Sequence, residues 1–487
     1  MYRTNIMLLT DGYKLDHRRQ YPDGTQVVYA NFTPRDSRTG ADKVVLFGLQ
    51  YFLKHYMEDY ANETFFYKPK GIVLDEYKKC LDNYLGPTDI GTEHIAALHD
   101  YGRMPLEFYA LPEGTQVPIR VPMFTIENTH HDFFWLTNYF ETLMSSVLWL
   151  PCTSATTALQ YRTIFNQYAK QTGTATQFVP FQGHDFSFRG MSSPESAIVS
   201  GAAHMLSFEG TDTVPALPFL ENFYLLNKFG PNGIPATEHS VMCAGGHETE
   251  IETFRRLLKL YPTGILSVVS DTWDLWNVIG TLLPQLKGEI LGRNGKLVIR
   301  PDSGDPVKII CGDPDATNPL AKKGVVQALW DIFGGYMTPA GYKILNSHVG
   351  AIYGDSITLA RADQICQLLA AKGFASGNVV FGIGSYTYQY VTRDTYGFAV
   401  KATWALINDE EHMLSKSPVT DNGMKFSAKG RVVVYKDIYH RLLLLDNISL
   451  DQQEGHYGIN ELKKVWSDGK FYKIYTFEDV KQNLKSS

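Results

Sequence analysis

Short apolar runs that break off into polar residues recur through the middle of the chain. Leu297–Ile299 ends in Arg300-Pro301-Asp302-Ser303-Gly304, Ile265–Ser270 in Asp271 and Asp274, and Val349–Tyr353 in Gly354-Asp355. Val379–Phe381 leads to Gly382, Gly384 and Ser385, and Phe178–Gln182 to His184-Asp185-Phe186. Shorter runs near Leu206–Phe208 and Ile234–Ala236 precede Thr211-Asp212 and Glu238-His239. Runs of this length bounded by turn residues predict buried strands. Between them Ser193–Leu206, Ala216–Asn227, Glu248–Leu260, Thr272–Leu286, Lys323–Phe333 and Ile357–Ala371 are patterned as helices. Seven strand-then-helix units predict an α/β fold whose central domain, residues 177–385, is an irregular β/α barrel. An open doubly wound sheet has the same local pattern. It gathers ligand contacts at one switch point, whereas here chemistry-bearing residues follow every strand, which favours the barrel.

The flanking segments read differently. Gln26–Phe32, Gln116–Val121, Gly397–Ala405, Arg431–Lys436 and Leu442–Leu445 have strand character, with a helix near Leu49–Tyr60 and long helices over Phe133–Trp149 and Ala155–Thr172. They predict a discontinuous, β-rich α+β domain built from both chain ends, residues 1–176 and 386–487.

Composition narrows the class. With 487 residues, 44% hydrophobic and 20% charged, the chain is an ordinary globular sequence long enough for two or three domains. A net charge of −6 argues against a nucleic-acid partner. Five cysteines without a CxxC spacing point to a reducing compartment rather than a disulfide framework. Ile6–Leu9 is too short for a signal peptide, and no apolar stretch approaches the ~18 residues of a membrane span. The expectation is a soluble cytoplasmic protein.

The strand ends carry the candidate chemistry. His184-Asp185-Phe186-Ser187-Phe188-Arg189-Gly190 sets aromatic rings beside an arginine, which suits stacking on a flat heterocycle next to a phosphate. A tight turn with an Asp–Arg pair is the plainer account. Glu238 beside His239 suits orientation of an imidazole nucleophile, although most histidines only pack. Asp212, taken by itself, reads first as the cap of a helix starting near Pro215. Other matches fail: Gly292-Arg293-Asn294-Gly295-Lys296 is too short for a Walker loop, and His247-Glu248 lacks the second histidine of a zincin.

In order, His-Asp-Phe-x-aromatic-Arg-Gly at 184–190, Gly-Thr-Asp-Thr at 210–213, Glu-His-Ser at 238–240, Ser-Asp-x-aromatic-Asp at 270–274, Ile-Arg-Pro-Asp-Ser-Gly at 299–304, Gly-Asp at 354–355 and Thr-Arg-Asp at 392–394 resemble the nicotinamide phosphoribosyltransferases, a branch of the type II phosphoribosyltransferases. Thr10-Asp11-Gly12-Tyr13-Lys14 and Phe47-Gly48-Leu49-Gln50-Tyr51 extend the resemblance to the N-terminus. It implies transfer of the 5-phosphoribosyl group from 5-phosphoribosyl-1-pyrophosphate to nicotinamide, with Mg²⁺ and ATP, in a homodimer that shares its active sites. It further implies that Phe186 and the partner's Tyr13 sandwich the pyridine and that Asp212 accepts from the carboxamide. Arg189 and Arg300 would lie along the base and phosphate side, and Asp302 would hold ribose hydroxyls. His239 would be phosphorylated by ATP, with Glu238 beside it and Asp274 supporting its ring. Gly354, Asp355 and Gly384 would line the phosphoribosyl site, Arg393 and Lys401 would bind the 5-phosphate, and Arg35, Lys416 and Lys425 would face pyrophosphate or ATP. No side chain is assigned to the metal.

The chain departs from the family at Ile383-Gly384-Ser385-Tyr386, where a glycine run is expected, and at Ala399, Phe426 and Ala428. Two other readings stand beside this one. Nicotinate phosphoribosyltransferase shares the architecture, and Asp212 argues against it because a carboxylate repels nicotinate. A non-catalytic binding or signalling barrel would not need Arg300, Asp302, His239 and Asp355 at its strand ends.

Overall fold

The computed structural model describes residues 3–227, 230, 232–415 and 428–486. They fall into two units, Met1–Thr156 with Phe219–Leu226 and Val391–Ser487, and Thr157–Pro218 with Asn227–Tyr390. The first boundary lies within a helix, Glu141–Thr172, rather than after it. Two helices, Phe133–Trp149 and Ala155–Thr172, were expected there, whereas one helix continues through Pro151.

In the second unit six parallel strands run in the order Gly210–Thr211, Gly183–Asp185, Val379–Ile383, Val349–Tyr353, Asn294–Arg300, Thr263–Val269. The two edges are linked by 232–237: Thr211 N–H donates to Asn232 O at 2.8 Å, and Thr237 N–H to Ser267 O at 3.0 Å. The result is a curved, half-barrel parallel sheet. Alternation along its strands separates two environments. Leu266, Val268, Leu297, Ile299, Tyr353 and Phe381 point into an apolar core shared with helices such as Leu359–Ala371 and Val325–Phe333. Ser267, Lys296, Val298, Gly350, Ile352 and Val380 line a cavity of ≈400 Å³ on the concave side.

Three strand expectations need correction, so that six strands rather than seven form the sheet: Ile234–Ala236 makes only an isolated bridge, from Ala236 to Ser267. Phe178–Gln182 lies in a 3₁₀ segment, Thr176–Phe181, with Pro180 inside it, and the strand begins only at Gly183. Proline has no N–H for a central ladder. Leu206–Phe208 is a turn, and pairing starts at Gly210.

The first unit holds a seven-stranded antiparallel sheet that pairs strands from both ends of the sequence. Its order is Glu410–Met413, Ala399–Ile407, Thr25–Thr33, Phe124–Asn128, Leu106–Ala110, Lys463–Ser467, Lys470–Phe471. The Arg431 guanidinium lies 4.3 and 4.6 Å from the Tyr29 and Trp404 ring centroids and donates to both Glu127 oxygens at 2.8 and 2.9 Å. A buried arginine needs both kinds of partner to offset its desolvation. Among the described residues no helix is long and apolar enough to cross a membrane.

Candidate active site

The second unit places its polar strand ends around one cavity of ≈1570 Å³. At one side strand Gly183–Asp185 pairs with Gly210–Thr211, so the loops after them lie together. His184 Nε2 sits 2.8 Å from Asp212 Oδ1 and its ring is tilted at 53° against Phe186, with centroids 4.9 Å apart. Phe186 N–H donates to Ile383 O at 3.0 Å. Glycines make room for the phenyl ring: a Cβ at Gly382 would lie 2.3 Å from Phe186 Cδ2, and one at Gly354 3.1 Å from Cε2. Arg189 follows in the 3₁₀ turn Phe188–Gly190.

Across the cavity, Asn294–Arg300 ends in a loop gathered by one carboxylate. Asp271 Oδ2 accepts from Asp302 N–H, Ser303 N–H and Ser303 O–H at 2.8, 2.8 and 2.6 Å. Arg300 Nη2 is 3.5 Å from Asp302 Oδ2. Burial, helped by Asp271 and Asp355, raises Asp302 above the usual carboxylate range against the pull of Arg300 and His239. A Cβ at Gly354 would come within 2.7 Å of Asp302 Oδ1, so a glycine is needed for this approach as well.

His239 opens the helix His239–Gly245, with Nδ1 3.1 Å from Thr272 Oγ1 and Nε2 4.0 Å from Asp271 Oδ1. Glu238 is engaged by the Ser240 hydroxyl. Asp274, expected to support the imidazole, instead caps the helix Leu275–Asn277, its Oδ1 accepting from Trp276 and Asn277 N–H at 2.8 and 3.1 Å. The carboxylate facing the ring is Asp271, whose Oδ1 is buried and has no hydrogen-bond partner. Asp271 stands two residues past the strand Thr263–Val269, close to its end, and Asp274 sits where an N-cap belongs.

Phe186, Arg189, Asp212, Glu238, His239, Arg300, Asp302, Gly354, Asp355 and Gly384 all line this cavity, as does Phe188, the second aromatic of the 184–190 loop; Tyr386, which was given no role, does too. The remaining expected residues belong to the first unit. Tyr13 and Arg393 line a cavity of ≈260 Å³ with Asp11 and Glu141. Lys401 Nζ is 2.8 Å from Glu141 Oε1, and Arg35 donates to Gly397 O at 3.1 Å. Lys416 and Lys425 lie outside the described residues. Among the described residues no group of three or more His, Cys, Asp or Glu is placed to hold a metal.

Behind the base-side loops His204 is wholly buried, with Nδ1 2.7 Å from Tyr388 Oη and Nε2 3.1 Å from Gly210 O. The carbonyl requires Nε2–H, so Nδ1 accepts from the tyrosine. Burial lowers the imidazole from 6.5 to about 4, opposed by Asp185. Between those values the unfolded chain takes up a proton that the folded one refuses. Stability therefore falls as pH drops through that window, by about 3 kcal/mol at most. His204→Gln is expected to be less stable at neutral pH but to lose less on acidification, measured by melts from pH 7 to 4. An unchanged slope would exclude His204 as a source of the acid sensitivity.

Residues 181–469 match the nicotinate phosphoribosyltransferase (NAPRTase) family, and residues 5–106 match the N-terminal domain of nicotinamide phosphoribosyltransferase. The chain is 51% identical to a nicotinamide phosphoribosyltransferase of Acinetobacter baylyi, over 99% of this chain and 97% of the relative. In fold it is similar to the crystal structure of nicotinate-nucleotide pyrophosphorylase from Pyrococcus furiosus, with a TM-score of 0.58 at 14% identity over 99% and 95% of the two chains. Human nicotinic acid phosphoribosyltransferase gives 0.56 at 13% identity over 99% and 93%.

Proposed function

The chain belongs to the nicotinamide phosphoribosyltransferases, within the NAPRTase family, and from that premise we propose how its residues divide the work. The enzyme transfers the 5-phosphoribosyl group of 5-phosphoribosyl-1-pyrophosphate to nicotinamide, giving nicotinamide mononucleotide and pyrophosphate in NAD salvage. The pyridine nitrogen forms the bond to the anomeric carbon as the bond to pyrophosphate breaks, and the leaving group keeps the electron pair. The sugar passes through a cation-like state. Asp302 and Asp355 stabilise it, and Arg300 and Arg189 disperse charge on the phosphate side. Asp302 and Asp355 would hold Mg²⁺ brought in on the donor's phosphates, and the ion would supply neutralisation of charge on the pyrophosphate leaving group. Phe186 holds the base by stacking, and Asp212 accepts from the carboxamide N–H₂. The observation that carries this reading is the convergence of Phe186, Asp212, His239, Arg300, Asp302 and Asp355, from separate strand ends, on one cavity.

The finer proposals are three. His239 takes a phosphoryl group from ATP, its ring oriented by Asp271 and Thr272, and so ties synthesis to ATP hydrolysis. Tyr13 and Arg35 act on the partner subunit's site in a homodimer, Tyr13 being exposed at 61% and able to meet a second molecule, while Arg393 and Lys401 bind the 5-phosphate. The setting is the cytoplasm, consistent with five free cysteines.

The test of base choice uses purified protein, 5-phosphoribosyl-1-pyrophosphate and Mg²⁺, with nicotinamide and nicotinate offered separately. Wild type is expected to prefer nicotinamide. Asp212→Asn keeps the shape, removes the charge and can donate to a carboxylate, so the preference should shift toward nicotinate by about 1–3 kcal/mol. An unchanged ratio would remove Asp212 from amide recognition.

A further inference from the structure

We propose that Asp185, which the mechanism above does not use, is the positioning residue that holds the stacking ring and the amide acceptor in one geometry, and so sets the preference for nicotinamide over nicotinate. The inference rests on the roles given to Phe186 and Asp212.

Along the strand Gly183–Asp185 neighbouring side chains point to opposite faces. His184 reaches the Asp212 carboxylate at 2.8 Å. Asp185 points the other way, into a buried polar knot. Its Oδ1 accepts from Ser187 N–H and O–H at 2.9 and 2.7 Å, and its Oδ2 from the hydroxyls of Thr211 and Thr213 at 3.2 and 2.7 Å. Thr213 N–H is tied back to Thr211 Oγ1 at 3.0 Å, and Asp212 N–H donates to Asp185 O at 2.9 Å. The residues on either side of Asp212, and the residue after Phe186, therefore hang on one carboxyl group.

Two features separate this from ordinary packing. Asp185, Ser187 and Thr213 are 0% exposed, and the four donors to the carboxyl are neutral. Burying an acid among neutral groups is costly unless its oxygens are fully engaged, and an apolar residue would seal the strand end more simply. Second, the strand leading into Asp212 is only Gly210–Thr211, with two residue pairs to its neighbour. So short a ladder leaves the side-chain bonds to fix the loop. The fit is close on the helix side too, where a Cβ at Gly201 would stand 3.1 Å from Asp185 Oδ2 and 3.0 Å from Thr213 Cγ2.

Nicotinamide and nicotinate differ only at the group Asp212 meets, so discrimination depends on where that carboxylate stands relative to the ring plane fixed by Phe186. Arg300, Asp302 and Gly354, which face the phosphoribosyl donor, hang on other strands. A change at Asp185 should therefore be felt more by the base than by the donor, which meets this loop only through Arg189.

The experiment compares Thr213→Val, Thr213→Ser, Asp185→Asn and Asp212→Asn with wild type. It measures KM for nicotinamide, KM for 5-phosphoribosyl-1-pyrophosphate, and the ratio of kcat/KM for nicotinamide over nicotinate. None of these depends on the fraction of protein folded. Thr213→Val and Asp185→Asn are expected to raise KM for nicotinamide and lower the ratio about tenfold each. KM for the donor should stay within about twofold, and Thr213→Ser should restore both base readouts. If Asp185→Asn does not fold, Thr213→Val decides, because it leaves the carboxyl in place. Loss of kcat with both bases at an unchanged ratio and nicotinamide KM would overturn the role of Asp185. A wild-type ratio in Asp212→Asn would instead locate the failure in the base-site reading itself.

Discussion

In His239→Ala, ATP should no longer raise the yield of nicotinamide mononucleotide, while slow ATP-independent synthesis persists. The imidazole stands at the rim of the cavity, half-exposed, 4.0 Å from Asp271 and 3.1 Å from Thr272 Oγ1. That placement suits a group that exchanges a phosphoryl with a soluble nucleotide better than one that touches the anomeric carbon. Phosphorylated, it would add negative charge beside the pyrophosphate subsite. It would then change the affinity for the donor and draw an unfavourable synthesis forward, and by reciprocity the donor would alter its phosphorylation. The mutant should lose ATPase activity and acid-labile phosphate incorporation together. A histidine that only fills a strand end gives no ATP effect in either protein, and ATP stimulation surviving in the mutant would refute the assignment. Asp271→Asn should weaken phosphorylation without abolishing it, since Thr272 still holds Nδ1.

Phe186→Ala and Tyr13→Ala should each remove most activity, and the two inactive proteins should recover part of it when refolded together. Phe186 lines the large cavity of one unit and Tyr13 the small cavity of the other. If the base is sandwiched between one chain's Phe186 and the partner's Tyr13, a mixed dimer holds one site with both mutations and one with neither. Half of the heterodimer's sites are then intact, and since random 1:1 mixing makes about half of the dimers mixed, activity should rise toward about a quarter of wild type. Absence of complementation, with mixed dimers shown to form by mass, would place both aromatics on one chain.

Much of this site was legible because its signals are local. Arg300, Asp302, Gly354-Asp355 and Gly384 each follow an apolar run directly, and a parallel sheet brings such positions to one rim whatever lies between them. What was illegible depends on tertiary choice. Asp271 and Asp274 share one loop, and only the packed structure shows that the first reaches His239 while the second caps a helix. His184 could be seen as polar but not as the partner of Asp212, because 28 positions separate them and only adjacent parallel strands join them. Phe178–Gln182 misled because a count of apolar residues passes over the missing N–H of Pro180. The helix Glu141–Thr172 was expected as two, and it continues through Pro151 without a break.

Glu141 carries a consequence for how this sequence is free to drift. One of its oxygens accepts from Lys14 Nζ at 2.8 Å and the other from Lys401 Nζ at 2.8 Å, and Lys14, only 1% exposed, also donates to Asn138 O. Loss of the carboxylate alone leaves a buried ammonium without its counter-charge, and loss of Lys14 alone leaves a half-empty carboxylate. Positions 14, 141 and 401 are thus bound into one inheritance: substitutions at any of them become tolerable only in company, and the route between two working combinations passes through worse ones.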